Sequence, residues 1–218
     1  MFASDLEGLT MLAESLGADL VITPQCPVAN DDPSGVADAW STASTSALDS
    51  WRARAASGAS ASSVIVAVWP NEHAALPLAE MSSGEFARRL EWPFAAWYAA
   101  LGAASSRCAD GGAIVAVIER PPPLDAAGWA TESGLADAVE AMVRSLARSE
   151  GHRGVRVNAV TTPTRVAPSD PIAPLPSLST FPGRLDGEVS DAVTMLIGPG
   201  ISGITGTVVH ADCGRSWR

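Results

Sequence analysis

Two stretches of the chain are apolar at every position: Val64-Ile65-Val66-Ala67-Val68 and Ala113-Ile114-Val115-Ala116-Val117-Ile118. A half-exposed strand would alternate, so unbroken runs of this length mark strands buried on both faces. Val155–Val160 predicts a third strand, Leu20–Thr23 a short one and Thr207–His210 a last one. Helical spacing fills the intervals. Leu6, Leu9, Ala13 and Leu16 recur at helical period behind Ser4 and Glu7, a capping-box pair, and Gly17 can end that helix. Further helices are predicted over 36–55, 83–104, 128–149 and 188–197. Residues 24–35 read as a loop, 56–63 as a turn, and 162–184, with six prolines, as a long loop.

Helices alternating with doubly buried strands imply an α/β protein, a parallel sheet covered on both sides. Right-handed crossovers make it a doubly wound, Rossmann-like single domain over residues 1–218. Composition narrows the function classes. Net charge is −10 with basic residues scattered, so the electrostatic footprint of a nucleic-acid or anionic-membrane binder is missing. Cys26, Cys108 and Cys213 lie far apart without metal spacing, as a reducing cytoplasm tolerates. All 14 residues in the Lys+Arg total are arginine, and Tyr98 is the single tyrosine.

From about residue 64 to 216 the wording resembles the short-chain dehydrogenase/reductase (SDR) family. Arg144-Ser145-Leu146-Ala147-Arg148-Ser149-Glu150 followed by Gly154-Val155-Arg156-Val157-Asn158-Ala159-Val160 is similar to that family's helix-to-strand passage. Ile204-Thr205-Gly206-Thr207-Val208-Val209-His210-Ala211-Asp212-Cys213-Gly214 resembles its last strand and Asp-Gly-Gly turn, with Cys213 in place of a glycine. Gly111-Gly112-Ala113-Ile114-Val115 resembles the start of the strand that carries the catalytic serine.

The resemblance places the family's functional positions residue by residue, and each departs from the pattern. The lysine position falls on Ala136, the tyrosine on Glu132, the serine on Glu119 and the helix asparagine on Glu91. The Asn-Asn-Ala-Gly turn corresponds to Ala67-Val68-Trp69-Pro70, and the Pro-Gly before the nicotinamide to Thr162-Pro163. In the family the tyrosine is the acid/base, and the lysine lowers its pKa and holds the nicotinamide ribose. Alanine supplies no cation, and a glutamate is ionised at neutral pH unless buried. The resemblance also implies a glycine-rich turn between a first strand and a first helix. Helix-like spacing from Ser4 leaves only three residues before it, which predicts an N-terminally truncated or rearranged fold. Either Leu9–Ile22 is the family's first helix and second strand, or Leu20–Ile22 fills the central slot with Thr23-Pro24-Gln25-Cys26-Pro27 behind it. Gly198-Pro199-Gly200-Ile201-Ser202-Gly203 matches the GxGxxG spacing but follows a helix and precedes a strand, the reverse of a phosphate loop.

Several residue sets remain open in the sequence. Glu91, Glu119 and Glu132 either share one cleft, for acid/base or cation work, or each points to solvent or pairs with a neighbour such as Arg88, Arg89 or Arg120. His73, His152 and His210 read as loop, loop and strand residues. Trp92, Trp97 and Tyr98 on one helix, with Trp129, Leu135 and Met142 on the next, are either core or an interface, which the resemblance implies for these helices. The 162–184 loop occupies the place of the family's substrate lid. The expected function is a non-catalytic subunit with no cofactor of its own. It would stabilise or regulate a catalytically complete homologue in a hetero-oligomeric NAD(P)-dependent oxidoreductase, with NAD(P) on the partner, or assemble with itself. The alternatives are a repurposed non-redox enzyme using the carboxylates, and a small-ligand binding or sensing module.

Overall fold

A computed structural model describes residues 12–17, 46–69, 74–121, 127–163 and 185–212. Its sheet has four parallel strands in sequential order: β1 (Ala61–Ala67), β2 (Cys108–Glu119), β3 (Arg156–Thr162) and β4 (Val208–His210). Helix α1 (12–15) and helix α2 (46–56) precede β1. Between β1 and β2 run α3 (Ser83–Phe86), a π turn (Ala87–Glu91) and α4 (Trp92–Arg107); α5 (Ala130–Glu150) joins β2 to β3, and α6 (Leu185–Ile197) precedes β4. The parallel, helix-covered sheet expected from the apolar runs is present. The segments 20–23 and 24–35, the first half of helix 4–16 and most of the 162–184 loop lie outside the described residues.

Period-two side chains split the core. Ile114, Ala116 and Ile118 pack on one face with Trp97 and Leu101 of α4 and Leu135, Ala136, Val139 and Val143 of α5. Val115, Val117 and Val160 pack on the other with Leu12 and with Val189, Val193 and Leu196 of α6. Ser15 and Ser190 hydroxyls meet at 2.8 Å, tying α1 to α6. Each fully buried Val or Ile contributes about 1.5–3 kcal/mol. The strand order advances in one direction while the helix changes face at α6. The β3–α6–β4 connection therefore has the opposite hand to the two before it, which corrects the expectation of uniformly right-handed crossovers.

Local chemistry moves several expected boundaries. β1 begins at Ala61, inside the segment expected to be a turn, and β2 begins at Cys108, with a register irregularity between Ala61 and Ser63. The single helix expected over 83–104 is three pieces. Ser82 and Glu85 close a capping box at its start: the Glu85 N–H donates to Ser82 Oγ at 3.2 Å. Pro93 then has no N–H to donate, and its ring crowds the preceding turn. The backbone widens into the π turn just before it. After α5, Gly154 takes φ 69, a left-handed position that turns the chain into β3. Arg156 donates to the Leu196, Ile197 and Gly198 carbonyls, satisfying the C-terminal end of α6.

Candidate functional site

Ligands of open α/β sheets bind outside the carboxyl ends of the strands. In this molecule those ends carry Trp69, Glu119, Arg120, Thr161, Thr162, His210 and Asp212. The first half of α5 carries Glu132, Ala136 and Asp137 over the same sheet.

Glu132 is tied down. Arg89 Nη1 lies 3.3 Å from its Oε1, and the Thr131 hydroxyl donates to its Oε2 at 2.7 Å. Arg89 is only 6% exposed, and its Nη2 donates to the Ala74 carbonyl at 2.8 Å. The Leu76 N–H donates to the Gly128 carbonyl at 2.9 Å. One buried guanidinium thus joins the segment after β1 to the start of α5. Sequence reading named Arg89 only as one of three possible partners. Its signal was available, because Arg89, Pro93 and Trp97 are four apart and the latter two are buried positions of α4.

Ala136 is completely buried within the apolar face of α5, so the position holds packing surface and no charge. Glu119 is half-buried at the end of β2, in register with Thr162. Glu91 is exposed at the end of the π turn. Among the described residues no group of three or more His, Cys, Asp or Glu side chains could hold a metal ion, so the expected glutamate trio does not make a cation site. Arg120, next to Glu119, reaches α5 instead: Nη1 lies 2.6 Å from Glu140 and Nη2 2.8 Å from Asp137. Glu140 also meets Arg144 at 2.9 Å and is 2% exposed.

On β3 and β4, Thr161 Oγ1 and His210 Nδ1 are 2.6 Å apart across the strand pair. His152 Nδ1 lies against the Ser149 carbonyl in the turn after α5. His73, Cys26 and Cys213 lie outside the described residues. Gly198–Gly203 holds a short 3-10 turn between α6 and β4, in the helix-to-strand context expected for that glycine pattern.

The expected interface residues divide. Trp97 and Leu135 are buried in the chain's own core, which removes them from any partner surface, because their side chains fill the space between α4, α5 and the sheet. Trp92, Trp129 and Met142 are half-buried. Tyr98 is 54% exposed, with Arg52 stacked 5.1 Å from its ring and donating to its hydroxyl at 3.1 Å. Phe94, one turn earlier and 40% exposed, belongs to the same outward face and was missed in the sequence. No helix among the described residues is long and apolar enough to cross a membrane.

Trp69 is 0% exposed. It stands two residues past β1 and continues the alternation of Ile65 and Ala67 onto the α6 face. Its Nε1 donates to the Val117 carbonyl at 3.3 Å.

A family model described as enoyl-(acyl carrier protein) reductase matches residues 63–216. No curated protein matches the sequence. Among solved structures, a short-chain dehydrogenase/reductase from Serratia marcescens superposes with a TM-score of 0.57 at 22% identity, over 79% of this chain and 74% of that one. A blue fluorescent protein from a metagenomic library, in complex with NADPH, gives 0.55 at 20% identity, over 85% and 73%. A Brucella melitensis short-chain dehydrogenase/reductase gives 0.55 at 18% identity, over 79% and 72%. At these identities the likeness to the solved structures is one of fold.

Proposed function

This chain belongs to the short-chain dehydrogenase/reductase family, and we propose that it is a non-catalytic member, a subunit that stabilises or regulates a catalytically complete homologue. The assembly would be a hetero-oligomeric NAD(P)-dependent oxidoreductase of the cytoplasm, with the nicotinamide chemistry on the partner.

The observation that carries the reading is the engagement of Glu132. The resemblance puts it where the family has its acid/base tyrosine. A catalytic acid must present a proton to substrate within hydrogen-bond reach. Glu132 instead gives one oxygen to a buried arginine and the other to a neighbouring hydroxyl. The cation of the family's pair maps to Ala136, a fully buried side chain with nothing to donate. Arg89 does not stand in for it, because its two terminal nitrogens are committed to Ala74 and Glu132. A frame whose tyrosine and lysine positions are taken up by an internal ion pair and a buried methyl is suited to a structural or regulatory role.

Co-expression with each complete homologue encoded nearby tests this. The expected outcome is co-elution at a stoichiometric ratio and loss of stability or activity of the homologue when this chain is omitted. A chain that stays apart from every such homologue, or that alone turns over NAD(P)H with carbonyl or enoyl substrates, overturns it.

A further inference from the structure

At the amino ends of the strands, Ser63 of β1, Ala113 of β2 and Arg156 of β3 stand in register in one row. They continue the alternation of Ile65, Val115 and Val160, so they face the α6 side of the sheet. β2 leaves the ladder just before this row. There the four residues 109–112 lie opposite Ser62 alone, and Gly111 takes φ 76, a left-handed position. The displaced backbone, the row and the end of α6 border an open cleft of about 270 Å³, lined also by Ile197 and Pro199. Sites for drug-sized ligands run to about 300–1,000 Å³, so the occupant of this one is small. Its charge is set by Arg156, which is half-buried and gives both terminal nitrogens to the carbonyls that end α6. Those carbonyls carry about half an elementary negative charge, which leaves the guanidinium a positive surplus. Arg156 has no ion pair among the described residues, and its Nε makes no hydrogen bond there. Asp110, the carboxylate on the lining, is already held by Arg153 at 2.8 Å and adds no net charge. The Ser62 and Ser63 hydroxyls have no partner among the described residues.

We propose that this cleft binds a short-chain monocarboxylate, its carboxylate on Arg156 and the Ser63 hydroxyl and its tail against Ile197 and Pro199. Guanidinium-to-carboxylate hydrogen bonds are charge-assisted and belong to the strong class. A single negative charge matches the surplus on Arg156. A second would exceed it and would meet Asp110 and the α6 carbonyls, so phosphate and dicarboxylates fit less well. The bound acid would join β1, β3 and the end of α6 through one side chain, and so would stabilise the folded chain. The cleft lies at the opposite end of the sheet from Glu119, and its occupancy does not depend on a partner subunit.

The test titrates the full chain with butyrate, its neutral isostere butyramide, succinate and inorganic phosphate, followed by calorimetry and amide NMR. Butyrate is expected to bind with a Kd of about 1 mM, the range for a ligand this small. It should bind at least about tenfold more tightly than butyramide and move the amide signals of Gly111, Gly112 and Arg156. Ser63→Ile fills the cleft with a side chain that suits a strand and removes no internal bond. It is expected to weaken butyrate at least about tenfold with a melting temperature near wild type. Arg156→Met is expected to lose butyrate as well; if it does not fold without its bonds to α6, the Ser63→Ile comparison decides alone. No butyrate binding up to about tens of millimolar overturns the proposal. So does equal binding of butyrate and butyramide, or butyrate binding that survives Ser63→Ile. Tighter binding of succinate or phosphate overturns it too, because the site would then be built for a higher charge. None of these results bears on whether a homologous subunit binds, which co-elution measures separately.

Discussion

At the scale of single residues, Arg89 and Glu132 form a largely buried ion pair at the start of α5. At 6% and 16% exposure the two side chains are well inside the protein, where removing one partner costs more than forming the pair gains. Glu132→Gln is expected to lower unfolding free energy by about 1–3 kcal/mol, because a neutral amide meets a buried cation. Arg89→Met with Glu132→Leu should lie closer to wild type than either single change. Urea unfolding of the set checks this; single variants as stable as wild type would show the pair to be idle. The sequence disclosed Glu132 only through its alignment with a family pattern. What it left open was whether the carboxylate faced a cleft or a cation, because that depends on a partner 43 positions away.

Cys108 gives a second residue-scale expectation. Burial pushes its thiol up from the ordinary value of 9.0, against the opposing pull of Arg153. A thiol raised in the folded state loses its proton first in the unfolded chain. The unfolded state then binds fewer protons, and stability falls as pH rises past 9.0. Cys108→Ala should flatten that alkaline slope in unfolding measurements. At neutral pH, native Cys108 should resist alkylation that modifies it in the denatured chain, as peptide mass mapping would show.

At the scale of elements, the apolar runs disclosed β1 and β2, β3 and β4 were read from shorter apolar stretches, and what the sequence missed has local causes. The chain over 83–107 has helical spacing throughout, so one helix was the natural reading. The capping pair Ser82–Glu85 and the missing donor at Pro93 make it two helices around a π turn. Ser82→Ala should cost about 0.5–2 kcal/mol, with the loss confined to amides of the first turn in hydrogen exchange. The early start of β2 is held by close backbone approach. A Cβ on Gly112 would sit 2.7 Å from the Ser62 carbonyl and 2.7 Å from Cys108 Sγ. Gly112→Ala therefore has to push β1 away from β2 at the register irregularity, whereas Gly134→Ala, with open space around it, does not. Melting temperatures of the two variants should diverge by several degrees, at roughly 2–4 °C per kcal/mol for a chain of this size. Equal values would mean that the strand pair can shift freely.

At the scale of the whole molecule, the subunit reading requires a surface on which a partner can sit. The sequence reading put core and outward-facing residues of α4 and α5 into one interface set. Neighbouring helical positions are turned about 100° from each other, so Trp97 is buried and Tyr98 exposed, and only the phase of the helix against the sheet separates them. On the outer face of α4, Phe94 and Tyr98 are one turn apart, and Arg52 from α2 fixes the Tyr98 ring from above. Single exposed apolar side chains need no explanation. A rigid aromatic with an arginine on it, beside a second exposed aromatic, has the composition of an interface centre. If α4 meets the partner, Phe94→Asp and Tyr98→Glu should each release it, weakening association by about 2 kcal/mol or more. The melting temperature of the isolated chain should barely move, because neither side chain belongs to a buried cluster. Trp97→Ala is the contrasting variant, expected to unfold the chain at a loss of about 3–5 kcal/mol. Light scattering of the co-expressed assembly separates the outcomes. Release by Phe94→Asp with an intact fold places the partner on α4, and an unchanged assembly mass with both surface variants moves the contact to another face.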